Sequence, residues 1–283
     1  MAFEKVSVIL KGVDINKTAV IAFNCHNYES IAWPVDVGNE LGIPVIISLP
    51  PYMEKYIPFE AFSAITKTLA KKAKVPIGLH LDHCDSFDTI LRAIKAGFLS
   101  VMIDGSRLPY EQNIRATCEI VKVAHALGVD VEAELGRVGM AANPSDYKNL
   151  DSYTTPEQAV DFIDKTKIDS LAIAIGSAHG YYLEAPKLDI NRLKEINKAV
   201  DTPLVLHGGT GIPNEQLIQA FKHGINKLNI GTEYHSIFYS TAMDYQQIKN
   251  KKDDLLALCD YQKQVIKNYL RNKLSLTILD SKH

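Results

Sequence analysis

PIGLHLDHCDSFDTILRAIKAGFLSVMID (76–104) decides the fold. It opens on a short, largely apolar run, PIGLHLDH (76–83), of strand length. The pattern then becomes helical in SFDTILRAIKAG (86–97), with Ser86 placed as the N-cap. It returns to a strand in LSVMID (99–104). Strand, helix, strand at this spacing is the unit of a parallel sheet, because parallel neighbours need a crossover between them.

The unit recurs along the chain. AVIAFN (19–24) and PVIISL (44–49) read as strands one and two, with 76–83 and 99–104 as three and four. VDVEAEL (129–135), DSLAIAIG (169–176), PLVLHG (203–208) and NKLNIG (226–231) complete the set of eight. Helical stretches separate them, at 27–42, 59–73, 109–128, 155–166, 189–199 and 213–224, and a last helical region covers 233–273. Pro34 is expected to kink its helix or mark its first turn. Residues 136–155 read as a polar loop, and KNKKDD (249–254) as a charged break in the last helical region. Eight strand–helix units in roughly 240 residues predict a (β/α)8 TIM barrel. The expected organisation is a single domain over 1–283 with a C-terminal helical extension. An open doubly wound sheet explains less well why candidate site residues follow strands one and three to eight, since only a closed barrel gathers those ends on one face.

Composition narrows the function. The chain has 283 residues and a formal net charge of −2, which gives no electrostatic case for nucleic acid or an anionic membrane. No apolar run approaches the ~20 residues needed to span a bilayer. The start, MAFEKVSVILKGVD, lacks a signal-peptide core. Cys25, Cys84, Cys118 and Cys259 are scattered and read as reduced thiols, so a cytoplasmic enzyme is expected.

His83, His179 and His207 each stand just past a predicted strand, in HLDH (80–83), SAHG (177–180) and LHGGTG (206–211). For a lone histidine after a strand a structural role is the better reading. Three of them at the rim of one barrel suit a divalent cation with an open position, and three imidazoles are a known catalytic zinc set. His26, His125, His223 and His283 have ordinary explanations as helix surfaces or termini. His80 lies inside strand three; alternation turns it away from His83, so it reads as a packed or supporting histidine. The same alternation separates Asp82 from His83, and both reach one site only if the strand bends there. Asp82 then either orients a ligand histidine or acts as a general acid/base. Asp104 and Glu134 end strands four and five; they either hold a second cation or position the first by hydrogen bonds.

Two glycine-rich turns suit an anion. HGGTG (207–211) offers backbone amides and a hydroxyl, and NIGTE (229–233) opens a helix whose first amides favour phosphate. Loops seven and eight are a recurrent phosphate site in barrels.

With these residues assembled, the chain resembles the class II, metal-dependent ketose-bisphosphate aldolases, nearest the tagatose-bisphosphate and short fructose-bisphosphate branch. The resemblance rests on AFNCHN (22–27), HLDH, SVMIDGSRLPYEQNI (100–114), VEAELG (131–136), DSLAIAIGSAHG (169–180), PLVLHGGTGIP (203–213) and KLNIGTE (227–233). It implies His83, His179 and His207 as ligands of a catalytic Zn²⁺, and Asp82 as proton donor to the aldehyde oxygen in the condensing direction. Asp104 and Glu134 match positions that can hold a second divalent metal. Asn24, Gly180, Gly208, Gly209, Thr210, Asn229, Ile230, Gly231 and Thr232 match substrate contacts, some of whose backbone groups also help bind a monovalent cation (Na⁺ or K⁺) in the family. The implied reaction is reversible retro-aldol cleavage of tagatose or fructose 1,6-bisphosphate to dihydroxyacetone phosphate and an aldehyde such as glyceraldehyde 3-phosphate. Lewis-acid catalysis by the metal makes a Schiff-base lysine unnecessary. The implied assembly is a homodimer or homotetramer.

Two stretches depart from the family. GMAANPSDYKNLDSY (139–153) replaces a loop that in relatives resembles GGQEDD and supplies a glutamate as carbon-acid base; Asp146 is the residue nominated here. After strand two, Pro50 stands where relatives place Ser or Thr near the second phosphate. The readings that compete are an aldolase for another phosphorylated ketose or deoxy sugar acid, a metal-dependent epimerase or hydrolase on the same barrel, and a non-catalytic assembly subunit.

Overall fold

The computed structural model describes residues 2–15, 18–248 and 254–278. In chain order its strands are β1 (Val20–Asn24), β2 (Val45–Leu49), β3 (Ile77–Cys84), β4 (Ser100–Ile103), β5 (Asp130–Leu135), β6 (Gly139–Met140), β7 (Ser170–Ile173), β8 (Ala178–His179), β9 (Leu204–Leu206) and β10 (Ile225–Ile230). All but β6 and β8 close into a parallel barrel with ring order β1–β10–β9–β7–β5–β4–β3–β2. The expected (β/α)8 barrel is therefore the observed one. Its helices are α1 (Val6–Ile15), α2 (Tyr28–Leu41), α3 (Phe59–Ala70), α4 (Phe87–Ala96), α5 (Tyr110–Ala126), α6 (Pro144–Lys148), α7 (Pro156–Thr166), α8 (Ile190–Ala199), α9 (Asn214–Lys222), α10 (Thr232–Gln247) and α11 (Leu255–Ser275).

The helix starts follow local chemistry. Ser86 accepts a hydrogen bond from the Thr89 amide, as its position before α4 predicts. Thr155 and Gln158 form a capping box, with Pro156 at the first position of α7. Of the two expectations for Pro34, the first-turn one does not hold. The residue lies inside α2, beyond the first turn, because Asn27 caps that helix with Ser30 and sets its start well upstream.

The outward faces of the strands meet the helices in one apolar shell that includes Ile21, Phe23, Ile47, Leu79, Leu81 and Leu228. Inside the barrel the packing is layered. At the N-terminal end Val20, Ala22 and Ile46 meet Val6, Ile9, Leu10 and Val13 of α1, a helix that the sequence reading did not anticipate. Gly78 makes that plug possible: a Cβ there would sit 3.1 Å from Val6 and Ile46 side-chain atoms. Met102, Ala172 and Val205 form a second internal cluster.

One expectation needs correction. The segment 136–155 is not simply a polar loop. It contains β6 and α6, and β6 pairs in parallel with β8, Gly139 opposite Ala178 and Met140 opposite His179. Buried Tyr147 and Ala141 pack against Ala178 beneath it. The last helical region is two helices, α10 and α11, and α11 begins at an Asp254 cap. Most of the charged break between them, like His283, lies outside the described residues. Among the described residues no helix is long and apolar enough to cross a membrane.

Candidate active site

The C-terminal ends of the strands open into a cavity of about 570 Å³. Asp82, His83, Asp104, His179 and His207 line it, as do Asn24, Gly180, Gly208, Gly209, Thr210, Asn229, Gly231 and Thr232. Ile230 does not. Its side chain points away, fully buried in the apolar shell, so only its backbone is available to a ligand. Glu134 lies just beneath the wall, buried, and reaches His83.

Strand β3 resolves the alternation problem at HLDH. Its register with β4 shifts between Leu81 and Cys84, and His83 takes φ 49°, the left-handed region. This local irregularity turns His83 to the same side as Asp82. A non-glycine residue at positive φ is uncommon and costs energy, and such residues concentrate at functional sites. His179 is brought in by another device. It lies on β8, and its carbonyl accepts from the Ala141 amide at 2.9 Å, so the altered loop after β5 itself holds this histidine. Tyr182 braces the same turn, its hydroxyl contacting Ala178 and the Gly208 carbonyl.

The three imidazoles present ring nitrogens within 4.8 Å of one another. In two of them, His83 and His207, the other nitrogen is engaged. His83 Nδ1 donates to Asp104 Oδ2 at 2.9 Å, which leaves Nε2 buried with no partner. His207 Nε2 donates to Glu132 Oε1 at 2.9 Å, leaving Nδ1 toward Asp82 and Asn229. An orphaned buried nitrogen, and partners that fix which nitrogen bears the proton, are what a metal-binding histidine set requires. These residues fit a divalent cation. His83, Asp104 and Glu134 make a second close group, with His83 Nδ1 3.9 Å from Glu134 Oε2. Asp104 also accepts from the Ser106 amide and hydroxyl, so here it orients His83 by hydrogen bonds.

Asp82 is clamped. Asn24 Nδ2 donates to Oδ2 and Asn229 Nδ2 to Oδ1, both at 2.8 Å. Burial pushes its carboxyl up, but His83, His207, His80 and Lys227 outweigh that and bring it down to about 2. Burial disfavours charge on His83, yet Asp82, Asp104 and Glu134 raise it to about 9. His179, where burial is joined by the neighbouring His83 and His207, falls to about 3.

Several residues went unnoticed in the sequence. Glu132 and Lys227 are fully buried inside the barrel, Lys227 Nζ 2.6 Å from Glu132 Oε2. His80 is there too, hydrogen-bonded to Ser100 Oγ at 2.8 Å and 3.9 Å from Glu132 Oε1, in the supporting position its alternation predicts. The same alternation could have found the pair, because Glu132 shares a face with Glu134 and Lys227 with Asn229. His235, on α10, was given no role and lines the cavity, its Nε2 bonded to the Asn24 carbonyl. His26 packs edge-on against it, and His125 pairs with Asp169, both away from the histidine triad.

The glycines of the two turns have steric reasons. Gly208 has φ 70°, and a Cβ there would come within 2.3 Å of the Ala178 carbonyl oxygen. A Cβ on Gly231 would meet the Asn24 amide at 2.9 Å.

This geometry has relatives. The class-II fructose-bisphosphate aldolase family model matches residues 4–282. Among solved structures, the YdjI aldolase of Escherichia coli K12 is 34% identical with a TM-score of 0.87, the match covering 99% of each chain. A candidate fructose-1,6-biphosphate aldolase from Coccidioides immitis is 27% identical over 96% of each chain, with a TM-score of 0.85. The fructose-bisphosphate aldolase Fba of Campylobacter jejuni, at 22% identity and TM-score 0.81 over 96% of this chain and 93% of its own, shares the fold. The chain belongs to the class-II fructose-bisphosphate aldolase family and is a lyase-type enzyme of that family.

Proposed function

We propose that this enzyme is a zinc-dependent aldolase that cleaves a phosphorylated ketose, tagatose or fructose 1,6-bisphosphate, to dihydroxyacetone phosphate and an aldehyde such as glyceraldehyde 3-phosphate. The observation that carries the reading is the convergence of His83, His179 and His207 on one point beside a clamped, ionised Asp82. The three histidines would hold the ion, with Asp104 and Glu134 as supports or as part of a second site. When bound, such an ion supplies Lewis acidity that stabilises negative charge developing beside a ketone.

The chain's own residues do the rest. Gly208 to Thr210 and Asn229 to Thr232 frame the cavity wall after β9 and β10, where backbone amides at the start of α10 suit a phosphate. A monovalent cation would share those backbone groups. Held at that wall, the sugar lies across the histidines with its reacting carbons near Asp82, and binding energy from the phosphate goes into orientation. In cleavage Asp82, as a carboxylate, accepts the proton of the hydroxyl that becomes the aldehyde; in condensation the protonated carboxyl returns it. Asn24 and Asn229 donate to both its oxygens and keep it aimed. Asp146 lines the cavity from the loop after β5 and is the proposed partner for the carbon-bound proton. We further propose a cytoplasmic homodimer or homotetramer.

A coupled assay for dihydroxyacetone phosphate, run on both bisphosphates with and without chelator, tests the proposal. Cleavage that stops on chelation and returns with zinc is expected. Cleavage indifferent to chelator overturns the metal mechanism, and release of inorganic phosphate or an isomer with intact carbon skeleton overturns the aldolase one.

A further inference from the structure

Arg107 and Arg137 both line the active-site cavity, and both are exposed. Arg107 follows β4, in a turn closed by the Leu108 amide on the Gly105 carbonyl at 2.9 Å. Arg137 follows β5; its amide donates to the Ser152 carbonyl at 3.0 Å, and the next amide, of Val138, donates to Glu134. Each guanidinium therefore stands on a fixed backbone. Among the described residues neither has an ion-pair partner. The nearby carboxylates that line the same cavity are occupied locally: Asp104 by His83 and Ser106, Asp146 by the Met140 amide and Asn143. Asp85 is exposed at the rim and pairs with neither arginine.

Ring order gives these two cations a place relative to the glycine turns. In the barrel β10 and β4 are four strands apart either way round, and β5 lies beside β4. The turns that suit a phosphate follow β9 and β10. Arg107, after β4, thus faces the β10 turn across the mouth, and Arg137 stands one strand to its side, with His83, His179 and Asp82 lining the same cavity. A linear sugar phosphate held by its phosphate at β9–β10 and extended over the histidines points its far end toward the β4 rim, where Arg107 stands with Arg137 on the neighbouring strand end. The rim after β2 presents Pro50 and Pro51, which have no side-chain donor, and Tyr52, whose hydroxyl is a single uncharged donor; none of the three carries a cation for an anionic group.

We propose that Arg107 and Arg137 form a subsite for an anionic group, phosphate or carboxylate, at the end of the substrate that leaves as the aldehyde. This rests on the aldolase reading above and adds the residues that select the aldehyde. Guanidinium is suited to the task because its planar donors match both phosphate and carboxylate oxygens in pairs. An unpaired cation at a water-filled mouth has its hydrogen-bonding capacity available to a ligand.

The test is condensation of dihydroxyacetone phosphate with three three-carbon aldehydes, using the full chain loaded with zinc. Glyceraldehyde is neutral, glyceraldehyde 3-phosphate carries a distal phosphate, and tartronate semialdehyde carries a distal carboxylate. The parent enzyme is expected to favour at least one charged aldehyde over glyceraldehyde in kcat/KM, and whichever it favours identifies the anion. Arg107→Gln and Arg137→Gln should each lower that charged-to-neutral ratio by about 10- to 100-fold, the worth of one charge-assisted hydrogen bond. Lysine at either position should restore part of it. Both side chains are exposed, so the replacements leave the core untouched. Condensation with no charge preference, or variants that keep the parental ratio, overturns the subsite alone. Failure to condense any of the three overturns the aldolase reading and the subsite with it.

Discussion

Glu132 Oε1 accepts from His207 Nε2 at 2.9 Å while its other oxygen lies 2.6 Å from Lys227 Nζ, and all three side chains are sealed from solvent. The carboxylate thus spends both oxygens on donors, one a buried ammonium and one an imidazole. Burial pushes the Glu132 carboxyl up, but Lys227, His80 and His207 hold it well below its ordinary value. Glu132→Gln would leave three donors, His207, Lys227 and Ser170, facing one acceptor, and an uncompensated buried charge. The expected loss is about 3–5 kcal/mol of stability and about 10- to 100-fold in metal affinity, since a ligand histidine loses its orienting acceptor. Denaturant melts and chelator competition measure the two separately. A depressed carboxyl contributes stability above its ordinary value of 4.5 that fades as pH falls below it, so the variant's stability should also depend less on acid. A variant equal to the parent in metal affinity would show that Glu132 has only a packing role.

Gly208 gives a purely steric prediction. Its φ is 70°, and an added Cβ would collide with the backbone of Ala178, beside His179. Gly208→Ala should cost about 1–3 kcal/mol and displace His179, weakening metal binding with no polar group removed. Gly211 also has positive φ, but its Cβ would meet only Tyr182 at 3.5 Å. Gly211→Ala should therefore be the milder change in the same thermal melt. Equal effects at both positions would mean that φ, not the clash with Ala178, dominates.

The barrel was legible because its period is short and repeated: each apolar run is a strand, each amphipathic run a helix, and eight of them close. The three histidines were legible because each sits at a strand end. What escaped did so for physical reasons. Helix α1 plugs the barrel from below, and an apolar helix with no preceding strand has no place in a strand–helix count. The pairing of β6 with β8 joins two-residue strands about forty residues apart, too short to leave a periodic trace. Alternation forbade Asp82 and His83 from sharing a face, and only the irregularity at His83, invisible in HLDH, permits it. Ile230 was carried with its neighbours, but period two sends it outward to the shell while Asn229 faces in.

Asp146 tests the altered loop. Oδ2 accepts from the Met140 amide at 3.1 Å and Oδ1 from Asn143 at 2.9 Å, so Asp146→Asn can keep one of these acceptors and the local fold. If Asp146 removes the carbon-bound proton of dihydroxyacetone phosphate, the variant should lose about 10²- to 10⁴-fold in the rate of proton exchange with solvent. Zinc content, measured on the same sample, should not change. Exchange at the parental rate would remove Asp146 from the mechanism and turn attention to Asp151, the other acidic residue of 139–153.

Asp82 makes the complementary prediction. Asp82→Asn keeps size and burial but removes the group that carries the hydroxyl proton, and the amide can replace only one of the two acceptor oxygens that Asn24 and Asn229 now use. Sugar cleavage should fall by about 10²- to 10⁴-fold. Proton exchange on dihydroxyacetone phosphate should fall much less, because that step does not involve the aldehyde oxygen. Exchange therefore separates the two variants: Asp82→Asn loses cleavage with exchange spared, whereas Asp146→Asn loses exchange and, with it, release of dihydroxyacetone phosphate in cleavage. Zinc should stay bound in both, since neither side chain is among the three histidines. If Asp82→Asn instead loses metal and exchange together, the carboxylate serves the ion rather than the proton, and its alternative role of orienting His207, 3.9 Å away, becomes the better account.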